Sequence, residues 1–441
     1  SVFNGPFQGA ALLWGCPYRG RGAWGRRAFS GDCGTLETNV RPPVRCLEIK
    51  FLVQANAEME RALVDPAGAR IMAPKQFHYN LKVSALTPAQ ANVIKQEMLS
   101  LGGEAAVARG AASCSIAASD AILSGTLRQY GLLVEKLKYQ SFALPEVGGA
   151  IDEALNNIAK RSFVLRGRTR EWELGKKTLI MGILNVTPDS FSDGGLFFDR
   201  DRAVEKALKM VEDGADWVDV GGESTRPGAG PVQAEEELER IMPVVEALSK
   251  RGVVFSIDTM KARVAEEALK AGAEAVNDVS ALSDPAMAEV CARHKAAVVL
   301  MHMRGAPKEM QKDTAYKDLI GEVFSYLSER VDYAESSGIE RGRIMIDPGL
   351  GFGKSKEGNL EIIARLREFA SLGLPILVGP SRKSFIGAIT GAKETERLSG
   401  TAAVSAMAVL NGACALRVHD AKEAREASAM AEAVKSANID G

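Results

Sequence analysis

From about Thr178 to its end the chain repeats one pattern eight times: a short unbroken apolar run, a polar break, then a longer segment with apolar residues three and four apart. TLIMGILNVT is followed by RAVEKALKMVEDGA, WVDVGGEST by AEEELERIMPVVEALSKRG, VVFSIDT by KARVAEEALKAG, and EAVNDVS by PAMAEVCARHK. AAVVLMHM then precedes YKDLIGEVFSYLSERVDYAESSGI, RIMIDPG precedes NLEIIARLREFASLG, PILVGPSR precedes the stretch around RLSGTAAVSAMAVLNGA, and CALRVHD precedes AKEAREASAMAEAVKSA. Unbroken apolar runs mark strands buried on both faces, and a 3.6-residue period marks amphipathic helices. Eight such units over about 260 residues predict a (β/α)8 TIM barrel, parallel strands inside and helices outside. An open doubly wound sheet rarely runs through eight uninterrupted units, and no G-x-G-x-x-G follows the first strand.

The texture before this repeat is different. LEIKFLVQ alternates like a strand and NAEMERALVDP has helical spacing; HYNLKVSAL reads as a strand and TPAQANVIKQEMLSLGG as a helix with Thr87 as its N-cap. EAAVARG and TLRQYGLLVEKLKYQ add a strand and a helix, so residues 46–160 are expected to form a smaller α+β domain, with the barrel occupying 161–441. SFVLRGRTREWELGKK alternates like a short hairpin and suits a connector or a cap on the barrel. The first 45 residues are rich in Gly and Arg and read as a disordered tail; an Arg-rich, acid-poor start also suits a transit peptide, but the Gly and aromatic content argues against that.

Composition narrows the function classes. A chain of 441 residues that is 46% hydrophobic and 25% charged is globular and long enough for two folded units. A net charge of -1 gives no general attraction to nucleic acid or to an anionic membrane, so any phosphate site must be a local group of cations. The six cysteines are scattered without a CxxC pair, which suits a reducing, cytoplasmic setting, and no apolar run reaches membrane-spanning length.

A barrel of this kind carries its active site at the C-terminal ends of its strands. There the chain places Asn185; Glu223 to Arg226; Asp258 and Thr259; Asn277 and Asp278; His302 and Arg304; Asp347; Ser381, Arg382 and Lys383; and Arg417, His419 and Asp420. Helix capping accounts for some of these singly, but caps do not call for Lys383, Arg417 and His419, and Asp258, Asn277 and Asp347 close apolar strands where a polar side chain needs a partner. Asp258, Asn277 and Asp347 suit a flat heterocycle with adjacent N–H groups, while Arg417, His419, Arg226 and Lys383 supply cations for a phosphate near strands seven and eight. The ligand this predicts is bipartite, an aminopyrimidinone-like ring carrying a pyrophosphate. The long loops NVTPDSFSDGG and ESTRPGAGP read as mobile lids, and His302, with no second ligand beside it, reads as structural.

NVTPDSFSDGG, VDVGGESTRPGA, SIDT, AVNDVS, MHMRG, DPGLGFGKS, GPSRKSFIG and RVHD, in this order, resemble the dihydropteroate synthase family over roughly Ser162 to Gly441. The resemblance implies an enzyme that joins 6-hydroxymethyl-7,8-dihydropterin pyrophosphate to p-aminobenzoate by SN1-like substitution. It implies pterin contacts at Asp258, Asn277, Asp347, Phe352 and Lys383, pyrophosphate contacts at Arg226, Arg417 and His419, and p-aminobenzoate contacts at Phe191, Thr225, Pro227 and Ser384. Asn185 matches the family's Mg²⁺ ligand, and Asn185, Lys383, Arg417 and His419 are the expected catalytic set. Small-molecule substrates, a homodimer and competition by sulfonamides follow from the same resemblance, as does the expectation that Arg417→Ala loses turnover but keeps pterin binding. A methyl-transferring pterin barrel would share the Asp and Asn contacts but has no use for SRKS or RVHD.

Overall fold

The structure, a computed structural model, describes residues 45–47, 49, 52–187, 196–223, 230, 232–305, 309–310 and 312–437, with the side chains of 196–199 excluded. By its contacts the chain divides at Glu48, and every element below lies in the unit Ile49–Gly441.

That unit opens with α1 (Leu52–Arg61) and α2 (Pro66–Met72), followed by β1 (His78–Leu86), α3 (Pro88–Ser100), β2 (Glu104–Val107), β3 (Ser119–Thr126), α4 (Leu127–Leu137) and α5 (Leu144–Ala159). The three strands form an antiparallel sheet in the order β1-β3-β2. Thr87 and Thr126 each close a capping box with Gln90 and Gln129, which fixes where α3 and α4 begin. LEIKFLVQ is not a strand throughout, because Leu52 to Gln54 already belong to α1. Ala55 and Met59, one turn apart, bury themselves against Ala73 and Phe77, and that helical face outweighs the alternation. The pattern reading passed over the central strand β3, whose inward residues Ser119, Ala121, Leu123 and Gly125 are mostly small, and α5, interrupted by Gly148 and Gly149. Gly148 brings α5 against α4: a Cβ there would stand 3.2 Å from the Leu137 Cβ.

The charged hairpin is β4 (Phe163–Arg166) with β5 (Glu171–Leu174). Leu165 and Leu174 close the N-terminal end of the barrel, packing on Leu179, Trp217, Ala275 and Ala297. Trp172 meets Trp217 edge-on at 4.6 Å, and buried Glu274 accepts the Thr169 backbone N–H at 2.7 Å and bonds its hydroxyl.

The barrel strands are β6 (Leu179–Asn185), β7 (Trp217–Gly221), β8 (Phe255–Asp258), β9 (Ala275–Asp278), β10 (Ala297–Met301), β11 (Ile344–Asp347), β12 (Leu377–Val378) and β13 (Ala415–Val418). The helices between them are α6 (Leu196–Glu212), α7 (Ala234–Lys250), α8 (Ala262–Ala271), α9 (Met287–His294), α10 (Leu319–Ser336), α11 (Lys356–Ala364), α12 (Ser384–Thr390) and α13 (Leu398–Leu410), and α14 (Ala421–Ala437) follows β13. The eight strands run parallel in the order β11-β10-β9-β8-β7-β6-β13-β12, and a parallel bridge between Ile346 and Ile376 joins the two ends. The eight repeats therefore form a barrel, as their periodicity predicts. Its main core lies between strands and helices, where Ile180, Val218, Ile257, Val276, Val298 and Ile346 face the helical layer. Every second strand residue points to that layer, so its neighbours point into the barrel, and the last inward residue of each strand arrives at the C-terminal mouth.

On the flank, Lys82 of β1 pairs with Asp318 at the start of α10 at 2.8 Å, and the Asn157 amide of α5 donates to the Ser371 carbonyl at 3.0 Å.

Candidate active site

A cavity of about 500 Å³ opens at the C-terminal mouth. Asp258 and Asp347 end β8 and β11, Asn277 is the last inward residue of β9, and all three line the cavity, at 6%, 5% and 2% exposure respectively. Burial pushes the Asp258 carboxyl up to about 7, against the pull of the Arg417 guanidinium, and the Asp347 carboxyl up to about 6, against a hydrogen bond from the Gly349 N–H. The polar groups converge because their strands do. They sit in a wall that Ile183, Val279, Met301 and Leu350 make apolar.

Asp219, in the middle of β7, holds this set together and escaped the strand-end reading. It is fully buried; its carboxylate takes a hydrogen bond from the Ser256 hydroxyl at 2.5 Å, the Asn277 amide at 2.9 Å and Arg417 Nε at 2.6 Å. Arg417 Nη2 reaches on to Asp258 Oδ2 at 2.5 Å. For Arg417, burial works against the charge, and the Asp258 and Asp219 carboxylates outweigh it, so its pKa is raised. One guanidinium thus joins the two carboxylates. The signal lay in the string WVDVG, since an acid between valines in a strand buried on both faces has only the barrel interior to face.

The turn after β11 supplies the opposite wall. Gly349 and Gly353 have φ of 71° and 69°, and Cβ atoms there would stand 2.0 Å from the His302 carbonyl oxygen and 2.7 Å from the Arg304 Cβ, so only glycine fits. The turn sets Phe352 beneath Lys383, whose Nζ lies 4.2 Å from the ring centroid. Burial pushes the Lys383 ammonium down to about 8, with Asp347 opposing.

Beside Arg417, the His419 Nδ1 lies 2.9 Å from the Ser381 hydroxyl, which in turn accepts the His419 backbone N–H at 3.2 Å. Burial, then Arg382 and Arg417, hold the His419 pKa down to about 3, so His419 enters the site as a neutral imidazole rather than as the cation its sequence position suggests. With the Ser381 proton directed to Nδ1, the ring proton is assigned to Nε2, which makes His419 a donor. Arg382 is held by both carboxylate oxygens of Asp420, at 2.7 and 3.2 Å.

Asn185 ends β6 inside the same cavity, as do Lys383, exposed Ser384 and Arg417. His302 stands outside the cavity lining, its Nδ1 2.9 Å from Lys354 Nζ. Phe191, Thr225, Arg226 and Pro227 lie outside the described residues. Among the described residues no group of three or more His, Cys, Asp or Glu side chains could hold a metal ion.

The family model described as "Pterin binding enzyme" matches residues 181–419, more than half of the chain. The chain belongs to that family. The dihydropteroate synthase of Escherichia coli K12 is 48% identical over 58% of this chain and 92% of its own. The solved Xanthomonas albilineans dihydropteroate synthase with 4-aminobenzoic acid is 42% identical, with a TM-score of 0.59 over 62% of this chain and 99% of that one. A probable bifunctional folylpolyglutamate synthase/dihydropteroate synthase of Halobacterium salinarum is 44% identical over 88% of this chain but 47% of its own, so the chain spans about half the length of that relative. A match over 88% of the chain extends well before the pterin-binding barrel, into the sheet and helices that precede it.

Proposed function

We propose that this chain is a dihydropteroate synthase, condensing 6-hydroxymethyl-7,8-dihydropterin pyrophosphate with p-aminobenzoate to 7,8-dihydropteroate and pyrophosphate. The observation that carries this is the lining of one cavity by a buried carboxylate–amide set together with the Arg417 guanidinium and the His419 imidazole. Asp347 and Asp258 accept the ring's adjacent N–H groups in one plane, and Asn277, held by Asp219, offers an amide to its edge. Lys383 faces the ring from above Phe352. Breaking the bond between the pterin methylene carbon and the pyrophosphate oxygen leaves the electron pair on oxygen, where His419 Nε2–H and Arg417 can donate. The amine lone pair then forms the new C–N bond and its extra proton passes to water. An aromatic amine is unprotonated near neutral pH, so no strong base is needed beside it.

Asn185 offers one neutral oxygen with which a Mg²⁺ carried in on the pyrophosphate could be held, phosphate oxygens and water supplying its other ligands. Bound there, it would offset charge on the leaving oxygens. Phe191, Thr225, Pro227 and Ser384 are read as the p-aminobenzoate site and Arg226 as a further pyrophosphate contact, supported by the resemblance alone. The 4-aminobenzoic acid bound to the Xanthomonas enzyme supports the choice of amine.

Incubation with dihydropterin pyrophosphate, p-aminobenzoate and Mg²⁺ should release pyrophosphate and dihydropteroate, with sulfonamides competing against the amine. No turnover from folded protein sinks the reading. We read residues 46–160 as a small domain of their own and the setting as cytoplasmic, the latter supported by the unpaired Cys46, Cys114, Cys291 and Cys414; no helix among the described residues is long and apolar enough to cross a membrane. We also infer a homodimer. Adjacent α13 and α14 expose Met407 and Leu410, and Met430 and Val434, at 41–68%, an apolar face that a second copy would cover. Sedimentation velocity should find a dimer that Met407→Glu with Met430→Glu converts to monomer; a wild-type monomer at micromolar concentration refutes the inference.

A further inference from the structure

Lys354 ends the glycine turn after β11 and is 3% exposed, a burial that a lysine tolerates when each of its N–H bonds finds an acceptor. Three acceptors are in place: His302 Nδ1 at 2.9 Å, the His302 carbonyl at 3.1 Å and the Phe352 carbonyl at 2.9 Å. An ammonium group has three N–H bonds, so all three acceptors are used. With Lys354 charged, Nδ1 of His302 accepts, and that ring's proton is assigned to Nε2. His302 is itself fixed, its backbone N–H donating to the Asp347 carbonyl at 2.9 Å and its ring edge-on to Tyr326 at 4.9 Å.

The lysine therefore ties the carbonyl of Phe352 to the residue that follows β10, across the base of the glycine turn. Two further bonds hold the same turn from its other sides: the Tyr316 hydroxyl donates to the Gly353 carbonyl at 2.9 Å, and the Asn359 side-chain oxygen accepts the Gly351 N–H at 2.6 Å. The ring of Phe352, which projects from this turn, stacks under Lys383. Neither Lys354 nor His302 lines the cavity.

We propose that Lys354 is a positioning residue for the ring pocket, its ammonium group fixing the turn that carries Phe352 and so the Phe352–Lys383 wall against which a flat heterocycle lies. The inference rests on the pterin reading of that pocket. It predicts that Lys354 acts on ring binding and leaves the amine site alone, because its bonds end at Phe352 and His302.

The test is Lys354→Met, which keeps the aliphatic stem and removes all three donors. Affinity for dihydropterin pyrophosphate, measured by calorimetry on the full chain, should weaken roughly 10- to 100-fold, the range that loss of hydrogen bonds to a charged group gives. In steady state the loss should fall on KM for the pterin more than on kcat, and KM for p-aminobenzoate at saturating pterin should stay within about 2-fold, since uniform binding rather than transition-state contact is removed. Tyr316→Phe, milder because it deletes one neutral hydrogen bond to the same turn, should weaken pterin binding by about 3- to 10-fold. Unchanged pterin affinity in folded Lys354→Met overturns the proposal, as does a loss confined to kcat. If that variant does not fold, unchanged affinity in Tyr316→Phe overturns it instead. Failure of the wild-type chain to bind the pterin would reject the functional reading, which is a different result from equal binding by wild type and variant.

Discussion

Arg417→Ala is expected to lower kcat/KM by about 10³-fold or more, the scale of removing a preorganised donor from developing charge. It should also destabilise the fold by about 3–5 kcal/mol, because deleting one partner of a buried ion pair leaves the other uncompensated. Here two are left. Asp219 is fully buried and Asp258 nearly so, and both hold the same guanidinium. Without it, Asp258 loses the cation that holds its pKa down while Asp219 still pushes it up, so its proton is held more firmly at neutral pH and the acceptor the ring needs is lost. Pterin binding should therefore fall along with turnover. This departs from the expectation drawn from the family resemblance, in which Arg417 contacts the pyrophosphate and its loss spares pterin binding. Arg417→Met with Asp219→Asn separates the effects: it should recover part of the melting temperature without recovering turnover, since the charge balance is repaired and the donor is not. Turnover within tenfold of wild type in Arg417→Ala would refute the role.

Much of this site was legible in the sequence because a barrel converts strand position into spatial position. Asp258 and Asp347 end apolar strands, Asn277 is the last inward residue of another, and the closed sheet brings them to one mouth. Two features resisted that logic. Asp219 sits mid-strand, two residues before Gly221, and its role appears only when Arg417 and Asn277 are seen to reach back to it. Lys354 stands in a polar, glycine-rich string where a lysine reads as solvated, and nothing local reveals that His302, 52 positions away, will bury it. His419 lines the cavity, and what lowers its pKa, burial first and then the neighbouring Arg382, is a tertiary feature that strand position does not carry. In the first part of the chain β3 carries a weak strand signal because its buried positions are mostly small, and the alternation that marks a strand depends on contrast in size and polarity.

Pterin binding should have a bell-shaped dependence on pH, and its two limbs should be separable by mutation. On the acid side, Asp347 and Asp258 are pushed up to about 6 and about 7, chiefly by burial. Below those values they are neutral and one lone-pair face is lost to each ring N–H, so affinity should rise as pH passes upward through 6–7. On the alkaline side Lys383 is lowered to about 8 and Lys354 to about 7, again chiefly by burial, and loss of either ammonium weakens the wall that faces the ring. The optimum should fall near neutrality. The carboxyls' own contribution to stability runs the opposite way in the unliganded protein. A folded-state pKa raised above the unfolded value means that the native state binds the proton more tightly, so this contribution is present at low pH and is lost as pH rises through 6–7. The thermal shift produced by saturating pterin should accordingly grow over the same interval, because the ligand repays a charge that the empty pocket carries at a cost. Asp347→Asn should lose about 10²-fold in pterin affinity at neutral pH and shorten the acid limb, while Lys383→Met should lose a similar amount and leave only the Lys354 part of the alkaline fall, each being a charge-assisted hydrogen bond removed from a buried site. Calorimetric titration from pH 5 to 9 distinguishes these outcomes. A pterin affinity that stays flat across that range would mean that Asp258, Asp347 and Lys383 do not contact the ring.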